Sequence, residues 1–201
     1  MTLHNLFFAR AKRESDGKTF YMSFNVTGNG LTTEVPLHLT DIDEDGQYHV
    51  EFYQISNGGL TGAYFADAMM PNHKTMMQRI DSAVNFTWSQ SAATSVRWNG
   101  FLRPHDDTRC CLFAVEGDNV RLWVNNVLLI DRWHQSITVP PASAFTDLST
   151  TDQGQIYEIT LEVRQLELLP SIKLMWNING RTDVIGQEYL YFKVRGSIHT
   201  L

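Results

Sequence analysis

Residues Gly117–Trp133 read GDNVRLWVNNVLLIDRW, two apolar runs, VRLWV and VLLI, separated by Asn125-Asn126. Asparagine tolerates the positive φ that a two-residue hairpin turn requires, so the stretch predicts two antiparallel strands around a tight turn. Downstream, QIYEITLEVR places Tyr157, Ile159, Leu161 and Val163 on one face and Glu158, Thr160, Glu162 and Arg164 on the other. SIKLMWN repeats the pattern with Ile172, Leu174 and Trp176. Upstream, KTFYMSFNV aligns Phe20, Met22, Phe24 and Val26, EVPLHLT aligns Val35, Leu37 and Leu39, and QYHVEF aligns Tyr48, Val50 and Phe52. Period-two alternation buries one face and wets the other, as antiparallel sheets do. Turn signals such as Asp45-Gly46, Asn57-Gly58-Gly59 and Asn179-Gly180 separate the runs. Many short strands with frequent turns predict an all-β sandwich.

Two segments break this rhythm. Residues 67–81, DAMMPNHKTMMQRID, are Met-rich and are expected to hold one short helix. Residues 135–154 are polar, carry Pro140-Pro141 and are expected to form a long surface loop.

At 201 residues, 43% hydrophobic and 19% charged, the chain can bury a sizeable core. A formal net charge of −6 argues against nucleic-acid binding, which needs a basic footprint to release counterions. No run of about 18 apolar residues exists to predict a transmembrane helix, so no membrane insertion is expected. The apolar patch near the N-terminus is too short for a signal-peptide core. With Met1 as the true start, the expected location is cytoplasmic or cytoskeletal, and extracellular otherwise. Cys110 and Cys111 are adjacent and read as reduced, since a bond between neighbours would strain the backbone and staple nothing.

From Gly59 the sequence resembles the protective-antigen-type (PA-fourteen) β-sandwich domain over residues 59–192. The resemblance rests on ordered pieces: GGLTGAYF, RIDSAVNFTW, SVRWNGFLRP, GDNVRLWVNNVLLIDRW, YEITLEVRQLELLPSIKLMWNING and VIGQEYLYF. It implies an antiparallel sandwich packed around Trp98, Trp123 and Trp176. Arg97 and Arg121 sit mid-strand, where pairing with a carboxylate such as Asp131 is expected. Residues 1–58 resemble part of a filamin-type immunoglobulin repeat, through FFARAKRESDGK and Asp45-Gly46, Tyr48, Val50 and Phe52. The organisation expected is a filamin-like β unit at 1–58, the sandwich at 59–192 and a tail at 193–201.

Candidate chemistry is sparse. Asp41–Gly46 fits the first half of a calcium loop, but the twelfth position is Phe52 instead of a bidentate Glu. His105-Asp106-Asp107 lacks the ligand count and spacing of a zinc site. In the flocculin branch of the resembling family, two consecutive aspartates hold calcium, which holds sugar hydroxyls. The matching positions are Gly117 and Asp118. The first carboxylate is missing, which disfavours calcium and leaves Asp118 as a weak metal candidate, with Glu116, Asp118 and Asn119 as the ligand-binding set of a lectin-like reading. No catalytic residue and no cofactor is expected, since no nucleophile elbow, phosphate loop or HExxH motif occurs. The function expected is a non-catalytic structural or protein-interaction module of a large cytoskeletal or ciliary assembly. Other proteins are then its partners. The alternative is a carbohydrate-binding module at a cell surface, with a glycan as partner.

Overall fold

The computed structural model describes residues 5–26, 46–67, 75–87, 93–104, 110–116, 119–133, 142–148, 156–164, 171–178, 180–194 and 199–200. Apart from one 3₁₀ turn at Gln187–Tyr189, the regular structure among these residues is antiparallel β. The chain divides into two compact units, Met1–Ser56 with Lys193–Leu201, and Asn57–Phe192.

In the first unit, β1 (Asn5–Arg13) runs between β2 (Thr19–Val26) and β3 (Tyr48–Asn57). The register puts Phe7 opposite Phe24 and Ala9 between Met22 and Phe52. The alternate apolar positions therefore share a face, as the sequence predicts. Phe7 stacks on Phe24 at 5.7 Å between centroids, and Phe24 meets Phe52 edge-on at 6.3 Å. On the other face Phe8, Tyr53 and Ile55 are buried, and Arg10 pairs with Glu51. Burial opposes the charge of Glu51, but hydrogen bonds from Tyr53 and Arg10 more than offset it and lower the pKa. The turn after β1 is closed by Asp16, which accepts from Arg13 and from the Lys18 backbone N–H.

The second unit is the sandwich. Its larger sheet contains β4 (Leu60–Phe65), β5 (Thr75–Asp81), β7 (Ser95–Leu102), β9 (Val120–Val124), β10 (Val127–Asp131), β12 (Tyr157–Arg164) and β15 (Leu190–Lys193). The order runs β10-β9-β12-β7, with β4 and β15 both lying along the far side of β7 and β5 outside β4. The smaller sheet is β11 (Ala142–Leu148), β8 (Cys110–Glu116), β13 (Ser171–Ile178) and β14 (Arg181–Val184), with β6 (Asn85–Thr87) also on β13. Between the sheets lies one core. Val96, Trp98, Leu122, Ile159, Leu161 and Val163 come from the first sheet, and Phe113, Val115, Ile172, Leu174 and Trp176 from the second. Trp98 and Trp176 are buried as expected, whereas Trp123 is half-buried on the opposite face of β9.

The helix expected within residues 67–81 does not form in the described part: Thr75–Asp81 is strand β5, paired with β4. Six of its seven positions are exposed, so an edge strand with water on both faces carries no alternation to read. The stretch expected as a loop at 135–154 contains β11, which pairs with β8. The predicted strand at Val35–Leu39, the Asp41–Asp45 run and His105–Asp107 lie outside the described residues.

Candidate functional site

The Asn125-Asn126 turn has φ of 47° and 61°, both left-handed, as a tight hairpin requires. That turn fixes β9 against β10, and β9 pairs on its other side with β12, which pairs with β7. Register then lines four side chains across the outer face: Arg97, Glu162, Arg121 and Asp131. Arg97 Nε donates to Glu162 Oε1 at 2.6 Å, and Arg121 Nε donates to Asp131 Oδ1 at 3.0 Å. The expected Arg121–Asp131 pair is present; Arg97 finds Glu162, two strands away from Asp131. In the adjoining row, Thr160 lies between Asn99 and Trp123, and its hydroxyl donates to Asn99 Oδ1 at 3.1 Å. Leu128, opposite Trp123, is exposed.

Beyond the end of β10 this row meets the Trp133 ring. Asp131 Oδ1 also accepts from the Trp133 N–H at 3.2 Å, which turns the chain back over the sheet. The guanidinium carbons of Arg121 and Arg164 lie 4.7 and 4.5 Å from the Trp133 ring centroid. Arg164 also donates to the Trp133 carbonyl. Burial lowers the pKa of Arg164, and the neighbouring Arg121 charge lowers it further. Arg164 stays charged all the same, since guanidinium does not lose its proton in proteins. The arrangement is suited to binding: planar donors and a half-buried indole are the groups that dominate recognition surfaces.

Of the lectin-type ligand set, only Asn119 is fully described. It is buried, with φ of 53°, and its carbonyl accepts from Arg164 N at 3.1 Å. That geometry makes it a turn residue, the positive φ being one asparagine tolerates. Glu116 ends β8 with its side chain outside the described set, and Gly117 and Asp118 lie outside it altogether. Among the described residues no group of three or more His, Cys, Asp or Glu side chains could hold a metal.

A second constellation was not singled out in the sequence. Asp81, 5% exposed, accepts from Tyr64 Oη at 2.6 Å and Trp98 Nε1 at 2.8 Å through one oxygen, and from Arg79 Nε at 2.6 Å through the other. Burial and the bond to Asp81 push the Tyr64 pKa up. Both carboxylate oxygens are engaged, which makes this a structural brace. In the sequence Asp81 stands out only as the aspartate of the RIDSAVNFTW piece.

The model of the PA14 domain matches residues 56–166, and the chain belongs to that family. The match bears out the protective-antigen-type resemblance, while the filamin-type resemblance of residues 1–58 is not confirmed. Among curated proteins, the anti-sigma-I factor RsgI3 of Acetivibrio thermocellus is 30% identical over 145 residues, 68% of this chain and 22% of that protein. The chain thus spans only about a fifth of that relative's length. A solved anti-sigma factor domain-containing protein superposes with a TM-score of 0.58 at 19% identity, covering 94% of this chain and 79% of that one. The PA14 domain of the MpAFP antifreeze protein superposes at 0.53 with 9% identity, over 69% of this chain and 92% of that one. These likenesses establish the fold. They also correct the functional expectation: the 30%-identical curated relative is an anti-sigma factor, and the cytoskeletal or ciliary module is set aside. The carbohydrate-binding alternative is less supported as well.

Proposed function

We propose that this chain is a non-catalytic regulatory domain of a signalling protein of the anti-sigma-factor kind, with other proteins as its partners. The observation that carries the reading is the 30% identity to anti-sigma-I factor RsgI3 over 145 residues that include most of the sandwich. The architecture is compatible with a recognition role. A rigid two-sheet core holds an outer face of paired charges, Arg97–Glu162 and Arg121–Asp131, ending at Trp133 beneath two guanidiniums. On this reading the domain modulates how a sigma factor is held and does no chemistry of its own.

The test is a transcriptional reporter driven by the cognate sigma factor, in cells carrying the gene either intact or with codons 57–192 deleted in frame. The expected result is a reporter output that no longer follows the conditions that move it in the intact strain. An unchanged response in the deletion strain overturns the reading.

A further inference from the structure

The sandwich is one continuous stretch, Asn57–Phe192, set between Met1–Ser56 and Lys193–Leu201, which together make the other unit. It is therefore joined to the rest of the chain twice, entering at Asn57 and leaving at Phe192. An exposed asparagine stands at the entry. Its Nδ2 reaches three carbonyl oxygens of the exit turn: Gln187 at 3.0 Å, Glu188 at 3.1 Å and Leu190 at 3.2 Å. A primary amide has two N–H donors, so three acceptors share them. The backbone repeats the tie, with Gly58 N and Gly59 N both donating to the Leu190 carbonyl, at 3.0 and 3.3 Å.

The neighbouring sequence is shaped to allow this approach. Gly59 has φ of 139°, and a Cβ there would lie 2.2 Å from the Asp81 carbonyl oxygen. A Cβ on Gly100 would lie 2.3 Å from the Tyr191 carbonyl oxygen, so the leaving strand lies against β7 only because that position is bare. Leu190 itself is buried in the core, which anchors the exit strand just where the Asn57 amide reaches it.

We infer that Asn57 is a clip that ties the entry of the sandwich to its exit, and that opening the clip is the step by which binding on the sandwich is passed to the unit into which it is inserted. The second half rests on the regulatory reading above. The clip is fitted to this work because two of its three side-chain bonds are exposed and the third is half-buried, whereas the Leu190 side chain that anchors the exit strand is withdrawn from water. Solvent-accessible hydrogen bonds open locally at far smaller cost than a buried core. The clip can therefore release without the sheets parting.

Amide hydrogen exchange on the full chain tests the clip, with Asn57→Ala and Asn57→Asp beside the unchanged protein. Alanine removes the donor, and aspartate sets a carboxylate against three carbonyls. In both variants the Gly58 and Gly59 amides should exchange about tenfold faster or more, while amides of β7 and β12 keep their rates. Unchanged rates at Gly58 and Gly59 overturn the clip. A matching rise across β7 and β12 overturns it too, because Asn57 would then be holding up the whole fold. The coupling is tested by Asn57→Ala in the reporter strain, where the response should weaken; an unaltered response overturns coupling even if exchange quickens. Failure of the in-frame deletion test would sink the regulatory reading alone and leave the exchange result to decide the clip.

Discussion

The indole nitrogen of Trp98 donates to Asp81 Oδ2 at 2.8 Å, with both residues almost wholly withdrawn from water. The bond joins the middle of β7 to the last residue of β5, two strands that each pair with β4 and not with one another. One carboxylate thus braces three strands through side chains, where the backbone ladder joins them only pairwise. Replacing Asp81 by alanine leaves the Trp98 N–H and the Tyr64 hydroxyl proton buried with no acceptor, and leaves Arg79 only its bond to Tyr64 Oη and its ring contacts. We expect Asp81→Ala to lower unfolding stability by about 3 kcal/mol, and Asp81→Asn, which keeps an acceptor, by about half as much. Urea denaturation followed by tryptophan fluorescence measures both. A loss under about 1 kcal/mol for alanine would mean that the brace contributes little beyond packing.

Gly62 is bound to the same brace. A Cβ at this position would lie 2.5 Å from Asp81 Oδ2 and 3.0 Å from Trp98 Nε1. Backbone conformation is not the obstacle; space is. Gly62→Ala should therefore cost about 2 kcal/mol by pushing the carboxylate off the indole. In an Asp81→Ala background much of that cost should vanish, since the clashing oxygen is gone. Additive losses in the double-mutant cycle would show that the two substitutions act separately.

The parts of this fold that were legible from residues are those whose cause is local. Asn125-Asn126 specified its turn through two left-handed φ values, and Tyr157–Val163 specified a half-buried strand through strict alternation. Arg121 found Asp131 because one tight hairpin sets them opposite each other. Arg97 was harder: its partner Glu162 is 65 residues away, and only the β7–β12 register brings them together. Strand β5 was misread because exposure on both faces erases the period that would mark it. The Asp81 brace was missed for a related reason, since Tyr64 and Trp98 each stand 17 residues from it and meet it only once β4 is laid between β5 and β7. Nothing in residue chemistry spoke of anti-sigma factors; that came from relatives.

The β9–β10 turn gives a test of the local logic. Asn126 holds φ of 61°, where a β-branched side chain collides with its own backbone. Asn126→Gly should be neutral within about 0.5 kcal/mol, whereas Asn126→Val should cost about 1–2 kcal/mol. Asn125 has a further tie, its Oδ1 accepting from Glu158 N at 2.8 Å and its own N–H donating to Glu158 O at 2.8 Å. Asn125→Gly keeps the backbone angle but loses the side-chain acceptor, and should cost about 1 kcal/mol. Thermal melts of the three variants rank them. Equal losses for Asn126→Gly and Asn126→Val would contradict the conformational argument.

Asp16 carries the clearest lowering of pKa among the described carboxylates. Its side-chain bond from Arg13, followed by the bond from the Lys18 backbone N–H, lowers its pKa from the ordinary 3.8 to about 2. Both bonds favour the charged carboxylate, so the folded value lies below the unfolded one. The sign of the linkage follows: the support that Asp16 gives the β1–β2 turn is fully present above pH 3.8 and is lost as pH falls through about 2. The group is solvent-exposed, so the effect belongs to the turn and not to global unfolding. In a carboxyl-carbon NMR titration, Asp16 should reach its midpoint near 2 in the unchanged protein and move back toward 3.8 in Arg13→Ala. High salt should shift it the same way by a smaller amount, because screening weakens the charge attraction but leaves the hydrogen bonds in place. A midpoint at 3.8 in the unchanged protein would show that Arg13 and Asp16 do not hold together in water.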